Sequence, residues 1–288
     1  MRSPDAHGSH GRATVRGMRE QDRFETLAVE REGHLTWLTL DRPESLNAMN
    51  AVLVRELRAF FWGLVEDAET RVVVMRGAGR AFCAGLDLKA HAAEQGGGRA
   101  SVPDGLRAQR TISEIVMLMR RAPQPIIAAV HGAACGGGFA LALAADVRIA
   151  GESARMNAAF IRLGLSACDV GVSYFLPRHV GASVAAELLL TGNFIDAARA
   201  ERMGLVSRVV PDAELEAAAR ALAGDMLRNT PLGLRLTKEC LRMSLDAGSL
   251  EEVIALEDRN QVLAAGTADF REGVRAFLEK RPARFRDA

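Results

Sequence analysis

Apolar positions along the chain change spacing several times, and each change predicts an element. Phe24–Glu30 and His34–Leu40 flank the turn Glu32-Gly33 and predict a β-hairpin. Asp41-Arg42-Pro43 ends its second strand, because proline has no N–H to give to a ladder. Leu53, Leu57, Phe60, Phe61 and Leu64 then recur at helical spacing, with Asn50 placed to cap them. Val72–Met75, Ile126–Val130 and Val147–Ile149 are short apolar runs of the kind buried on both faces of a parallel sheet. Between them, residues 94–105 (EQGGGRASVPDG) predict a loop, Leu106–Arg120 a helix with Ile112, Ile115, Val116 and Met119 on one stripe, and Gly137–Ala145 a second helix. This strand–helix–strand rhythm implies an α/β fold with crossover connections. After about Thr191 the pattern is helical with no clear strand run: Ala197–Met203, Ala213–Leu227, Leu232–Ala247 and Leu250–Leu263. The expected organisation is a disordered tail over 1–22, an α/β core over 23–200 and a helical region over 201–288, packed on the core or on a neighbour.

Composition narrows the function. Of 288 residues, 49% are apolar and 25% charged, which is ordinary for a soluble globular protein with a large core. The formal charge of +1 gives no electrostatic case for a nucleic-acid or membrane partner. No apolar run is long enough to span a bilayer, and residues 1–22 carry arginines without the apolar stretch of a secretory signal, so a cytoplasmic protein is expected. Cys83, Cys135, Cys168 and Cys240 form no CxxC pair and lack zinc-ligand spacing, so they are expected as small buried thiols, and no metal site is expected.

Two glycine-bearing turns carry the candidate chemistry. Ala81-Phe82-Cys83-Ala84-Gly85-Leu86-Asp87-Leu88-Lys89 follows the Val72–Met75 strand. His131-Gly132-Ala133-Ala134-Cys135-Gly136-Gly137-Gly138 follows Ile126–Val130 and opens a helix. Each puts unpaired backbone N–H groups at the end of a parallel strand, and a helix N-terminus also favours negative charge. Neither is a phosphate loop, since GK[ST] and GxGxxG spacing are both missing. Converging, the two can hold one developing oxyanion; read separately, a glycine triplet only permits close helix–strand packing.

Together the two turns resemble the paired signature of the enoyl-CoA hydratase/isomerase, or crotonase, family. The likeness runs from about Phe24 to the C-terminus and includes DRPESLNAMN (Asp41–Asn50), AFCAGLDLK, the GGG turn with Ala145-Asp146 downstream, GLVSRVV (Gly204–Val210) and AFLEKRPARF (Ala276–Phe285). It implies a crotonase-type ββα spiral core with a helical C-terminal oligomerisation region. It implies an acyl-CoA substrate, whose coenzyme A is part of the substrate and not a separate cofactor, and a homotrimer or dimer of trimers. The oxyanion donors map onto the main-chain N–H of Leu86 and Gly137. Coenzyme A contacts map onto Ala84, Leu86 and Lys89, and onto Phe277 and Lys280 in the ending that reaches a neighbouring subunit's nucleotide. Asp87 is expected as a cap or ion-pair residue.

The acid–base positions depart from the two-glutamate hydratases. The first glutamate, two residues after the triplet, is Ala140 here, and the second, fourteen residues beyond Asp146, is Phe160. Hydration needs one group to activate water and one to deliver a proton, and neither Ala nor Phe can do so. Asp169-Val170-Gly171 with Leu176-Pro177 resembles instead the dienoyl-CoA isomerase pattern, with an acid/base Asp at the matching place; the loop carries one inserted residue relative to the hydratases. Burial between Cys168 and Val170 should raise the Asp169 pKa. Glu114 is the second carboxylate candidate; Tyr174 and His131 are expected to be structural. The reading is proton transfer along an unsaturated acyl chain, or hydrolysis, through Asp169. A genuine hydratase and a catalytically silent acyl-CoA binder are the alternatives.

Overall fold

The computed structural model describes residues 23–94 and 101–287. The tail expected over 1–22 and the glycine-rich part of the expected 94–105 loop lie outside them. The described elements run in chain order β1 (Leu27–Glu32), β2 (Leu35–Leu40), α1 (Ala51–Gly63), β3 (Val72–Gly77), α2 (Leu88–Glu94), α3 (Val102–Arg121), β4 (Ile126–Val130), β5 (Ala133–Cys135), α4 (Gly137–Ala144), β6 (Val147–Gly151) and β7 (Arg155–Asn157). They continue with α5 (Val172–Val180), α6 (Ala182–Thr191), β8 (Ile195–Asp196), α7 (Ala197–Arg202), β9 (Val209–Val210), α8 (Leu215–Leu227), α9 (Pro231–Ser244), α10 (Leu250–Ala265) and α11 (Ala268–Leu278).

The main sheet has the order β1-β2-β3-β4-β6-β9; β1 and β2 are antiparallel and every other pair is parallel. Alternate side chains explain why its strands read as unbroken apolar runs. Leu38, Leu40, Val73, Met75 and Ile126 enter the large core shared with α1, α3 and α4, while Trp37, Val72, Val74 and Ile127 pack with Leu215, Ala219 and Ala223 of α8. A second sheet, β5-β7-β8, continues the chain just beyond β4. Asn50 caps α1 as expected, its side chain accepting from the Leu53 N–H at 2.9 Å. Two expectations are corrected. Helix α3 starts at Val102, before the expected Leu106, because Ser101 caps it and Pro103 fits its first turn. The last third is not strand-free: β8 pairs with β7, and β9 with β6.

Helix α4 is buried on every side, which its all-apolar composition demands. Its C-terminal carbonyls are held by the buried Arg148, which donates to Ala142, Leu143 and Ala145. Burial pulls the Arg148 pKa down to about 10. Helix α9 is tied to the core by Lys238, whose ammonium donates to the Met119 and Gln124 carbonyls and lies 2.8 Å from Asp146 Oδ2. That same carboxylate oxygen accepts from the Ile126 N–H at the start of β4.

Candidate active site

The turn after β3 is built from the outside in. Asn47, fully buried in a left-handed conformation, donates to the Ala78 and Ala81 carbonyls and accepts from the Arg42 N–H. Arg42 donates to the Ala48 carbonyl and forms an ion pair with Asp87 at 3.1 Å. Asp87 also accepts from the Ala90 N–H at the start of α2, so it is a cap and ion-pair residue. Met49 then bridges the turn in parallel register: its N–H donates to Gly85 O at 2.7 Å, and Asp87 N–H donates to Met49 O at 3.0 Å. In such a bridge the intervening residue, Leu86, points its own N–H the other way.

The glycine triplet meets this turn edge on. Cys83 N–H donates to Ala133 O and Cys135 N–H to Cys83 O, a second parallel bridge. Gly136, at φ 51° and ψ −117°, turns the chain into α4 in a conformation a side chain would forbid. The first intrahelical bond is from Ala140 N–H to Gly136 O, so the Gly137 N–H is left over. Among the described residues, neither the Leu86 nor the Gly137 N–H has a protein acceptor. A Cβ built on Gly85 would stand 2.7 Å from Cys135 O and 3.6 Å from Gly137 N, so the two turns touch through their backbones. Unpaired N–H groups of this kind, one of them at the N-terminus of a buried helix, favour negative charge nearby.

Phe160 leads from this point to the candidate acid. Its ring lies 3.4 Å from where a Gly136 Cβ would be, and its carbonyl accepts from the Leu165 N–H in the loop that runs to Asp169. Asp169 is half-buried, and burial raises its pKa against two hydrogen bonds that lower it. Both bonds fall on one oxygen: Oδ1 accepts from the Val170 N–H at 2.8 Å and from Gln109 Nε2 at 2.5 Å. Among the described residues Oδ2 has no hydrogen-bond partner, so one oxygen is anchored and the other is not. The backbone is strained beside it. Val170 has φ 46°, an outlier for a β-branched residue that costs on the order of 1–3 kcal/mol. Its conformation directs the N–H onto Oδ1 while its side chain is buried.

Comparison with known proteins decides the family. The model of the enoyl-CoA hydratase/isomerase family matches residues 30–288. The chain belongs to that family. A Mycobacterium tuberculosis relative named "Probable enoyl-CoA hydratase EchA12" is 42% identical over 252 residues, covering 87% of this chain and 88% of its own. The Escherichia coli 1,2-epoxyphenylacetyl-CoA isomerase is 38% identical over 249 residues, covering 86% of this chain and 93% of its own. The crystal structure of an enoyl-CoA hydratase from Bacillus anthracis superposes with a TM-score of 0.86 at 34% identity, covering 92% of this chain and all of that one. The expected crotonase-type fold and the expected acyl-CoA enzyme class are thereby established.

Seen as a member of this family, the chain distributes its other expected residues unevenly. Ala84 donates its N–H to Leu46 O, inside the turn, and Lys89 is exposed on α2. Phe277, 82% exposed on α11, and Lys280 lie on the C-terminal arm, at the opposite end of the sequence from the turns. Ala140 is buried in α4, facing no water. Glu114 is paired with Arg58 of α1, its Oε2 accepting from Nε at 2.7 Å. His131 holds the turn through Gly79 O at 3.0 Å, and Tyr174 donates to Asp246 at 2.5 Å, both structural contacts. The thiols are less uniform than expected: Cys83 is buried with its pKa pushed up to about 12, whereas Cys168 is exposed, because its loop turns the neighbouring Asp169 and Val170 inward instead. Sequence reasoning missed Gln109, which lies on an exposed stretch of α3 without an apolar stripe to mark it. Asn47 within DRPESLNAMN is a second such residue, and its sequence signal is an asparagine between the apolar Leu46 and Ala48.

Proposed function

We propose that this enzyme polarises an acyl-CoA thioester between the Leu86 and Gly137 N–H groups and moves a proton with Asp169 alone. The observation that carries the reading is the asymmetric carboxylate, held through Oδ1 with Oδ2 unpartnered among the described residues, in a chain whose two usual glutamate positions are Ala140 and Phe160. In the isomerase form, Asp169 takes a proton from the α carbon of a 3-enoyl thioester. The electron pair delocalises onto the carbonyl oxygen, where two N–H donors stabilise it, and Asp169 returns the proton at the γ carbon. Such acid–base help contributes about 10²–10⁴-fold. A single carboxylate suits this shuttle better than hydration, which asks for a group to activate water as well as one to deliver a proton. The exposed apolar residues of α11 offer a surface to a second copy of the chain, and the likeness of the AFLEKRPARF ending to the family's supports a trimer or dimer of trimers as the working form, with Phe277 and Lys280 near a neighbour's coenzyme A.

The test is Asp169→Asn, assayed as conversion of trans-3-hexenoyl-CoA to the conjugated 2-enoyl thioester. Turnover should fall by about 10²–10⁴-fold with coenzyme A affinity nearly unchanged. Wild-type turnover in this variant, or rapid hydration of crotonyl-CoA by the native enzyme, would overturn the single-acid reading.

A further inference from the structure

Helix α3 opens with residues exposed from Ser101 to Ala108, and Arg110 is exposed as well. Gln109 between them is half-buried and reaches across sixty positions of sequence to Asp169. Its amide and the Val170 N–H converge on the same carboxylate oxygen. An aspartate with one donor can still rotate about its Cβ–Cγ bond; donors from two separate elements fix the plane of the carboxylate and decide which oxygen is free. We infer that Gln109 is a positioning residue: its side-chain amide locks Asp169 Oδ1 so that Oδ2 alone carries the proton in turnover. The inference rests on Asp169 being the acid–base group.

The electrostatic setting is simple enough to isolate this contact. No charged side chain is among the causes of the Asp169 shift; burial raises its pKa, and the two hydrogen bonds oppose it. Most of the charged groups on the surrounding elements are paired with other residues. On α3, Arg107 pairs with Asp104, Glu114 with Arg58, and Arg120 with Asp146; Arg110 and Arg121 are exposed. On α5, Arg178 pairs with Asp246, and His179 is half-buried, with burial pulling its pKa down to about 4. Arg162, before the loop, donates to Gly192 and Asn193. Among the described residues, Tyr174 of α5 donates to Asp246, Arg242 and Glu252 line the cavity that Val170 and Gly171 also line, and Cys168, next to Asp169 in sequence, is exposed.

A hydrogen bond to the charged form holds a carboxylate pKa down, so losing the Gln109 donor raises it further. Turnover needs the carboxylate, so the acid limb of the rate profile must move to higher pH. Gln109→Met keeps the length and removes the donor; Gln109→Glu replaces the donor with a second negative charge. On trans-3-hexenoyl-CoA, the acid limb of kcat/KM should lie lowest in wild type, higher in Gln109→Met and highest in Gln109→Glu. The kcat of Gln109→Met at its plateau should fall about 10–100-fold, the worth of a hydrogen bond to a charged group, with KM nearly unchanged. A ¹³C NMR titration of the aspartate carboxyls in the unliganded protein, assigned with Asp169→Asn, reads the same shift without turnover. Identical Asp169 titration in wild type and Gln109→Met overturns the inference, as does a plateau kcat at the wild-type level. If Asp169→Asn itself keeps full turnover, the acid assignment fails first. If that variant is inactive and the Gln109 variants match wild type, the positioning role alone is wrong.

Discussion

Gly85 shows how narrowly single residues set this site. It sits at φ 97°, a conformation that side chains rarely adopt, and its α carbon faces the Cys135 carbonyl and the Gly137 nitrogen. Gly85→Ala would bring a methyl group to 2.7 Å from Cys135 O, backbone that cannot swing aside like the end of a long side chain. The turn would have to retreat, and the Leu86 N–H with it. The expected cost is about 1–2 kcal/mol of stability from the left-handed conformation. It should be accompanied by a loss of about 10²–10³ in kcat, comparable to losing one oxyanion donor. Thermal melts and steady-state rates check the two separately; unchanged kcat in a folded Gly85→Ala enzyme would show that the Leu86 N–H is not used. At this scale the sequence was most informative where chemistry needs a residue type. The missing carboxylates at Ala140 and Phe160, and the lone Asp169 in an apolar loop, were readable without coordinates. Gln109 was not, because a glutamine on a polar stretch has the same signature whether it faces solvent or a carboxylate sixty residues away.

Elements were legible in proportion to how much apolar pattern they carry. The strands β3, β4 and β6 and the helix α1 announce themselves, since both faces of the sheet and one stripe of the helix are buried. The first two turns of α3 bury nothing, so periodicity begins only near Ile112 and the helix was placed too late. β8 and β9 are two residues each and exist only because β7 and β6 supply their partners, which no local pattern encodes. Long-range polar ties are equally silent. Lys238 would be read as one surface lysine among the charged positions of α9, yet it is buried against Asp146, and burial lowers its pKa. Asp146 in turn fixes the start of β4, the strand that delivers the glycine triplet. Lys238→Met removes the cation but keeps the apolar stem, and leaves Asp146 with Arg120 at 3.4 Å and the Ile126 N–H. Breaking a buried pair this way should destabilise by about 3 kcal/mol, the low end for such pairs because Asp146 is partly solvated. Chemical denaturation checks it, and a variant as stable as wild type would show that α9 is held by apolar packing alone.

At the scale of the whole molecule, the C-terminal arm is organised in a way a lone chain does not need. Asp269 accepts from the Arg286 and Asp287 N–H groups, Glu272 pairs with Arg281 at 2.6 Å, and Arg235 of α9 pairs with Asp287 at 2.8 Å. These contacts fold residues 279–287 back beside α11 and α9, yet the helix keeps Phe270, Val274, Phe277 and Leu278 exposed, Phe277 by 82%. An ordered helix with an uncovered apolar face is a surface suited to another subunit. Deleting the arm would also remove its internal ion pairs, so a point change separates the two effects. Phe277→Asp leaves the bonds of Asp269, Glu272 and Arg235 in place and puts a charge on the apolar face. Sedimentation velocity should show the wild-type protein as a trimer or a multiple of it, and Phe277→Asp as smaller species. Coenzyme A affinity should fall in the same variant, because the arm is proposed to complete a neighbour's nucleotide site. A wild-type protein that sediments as a monomer with normal coenzyme A affinity would detach the C-terminal arm from both roles and leave the site to be completed within one chain.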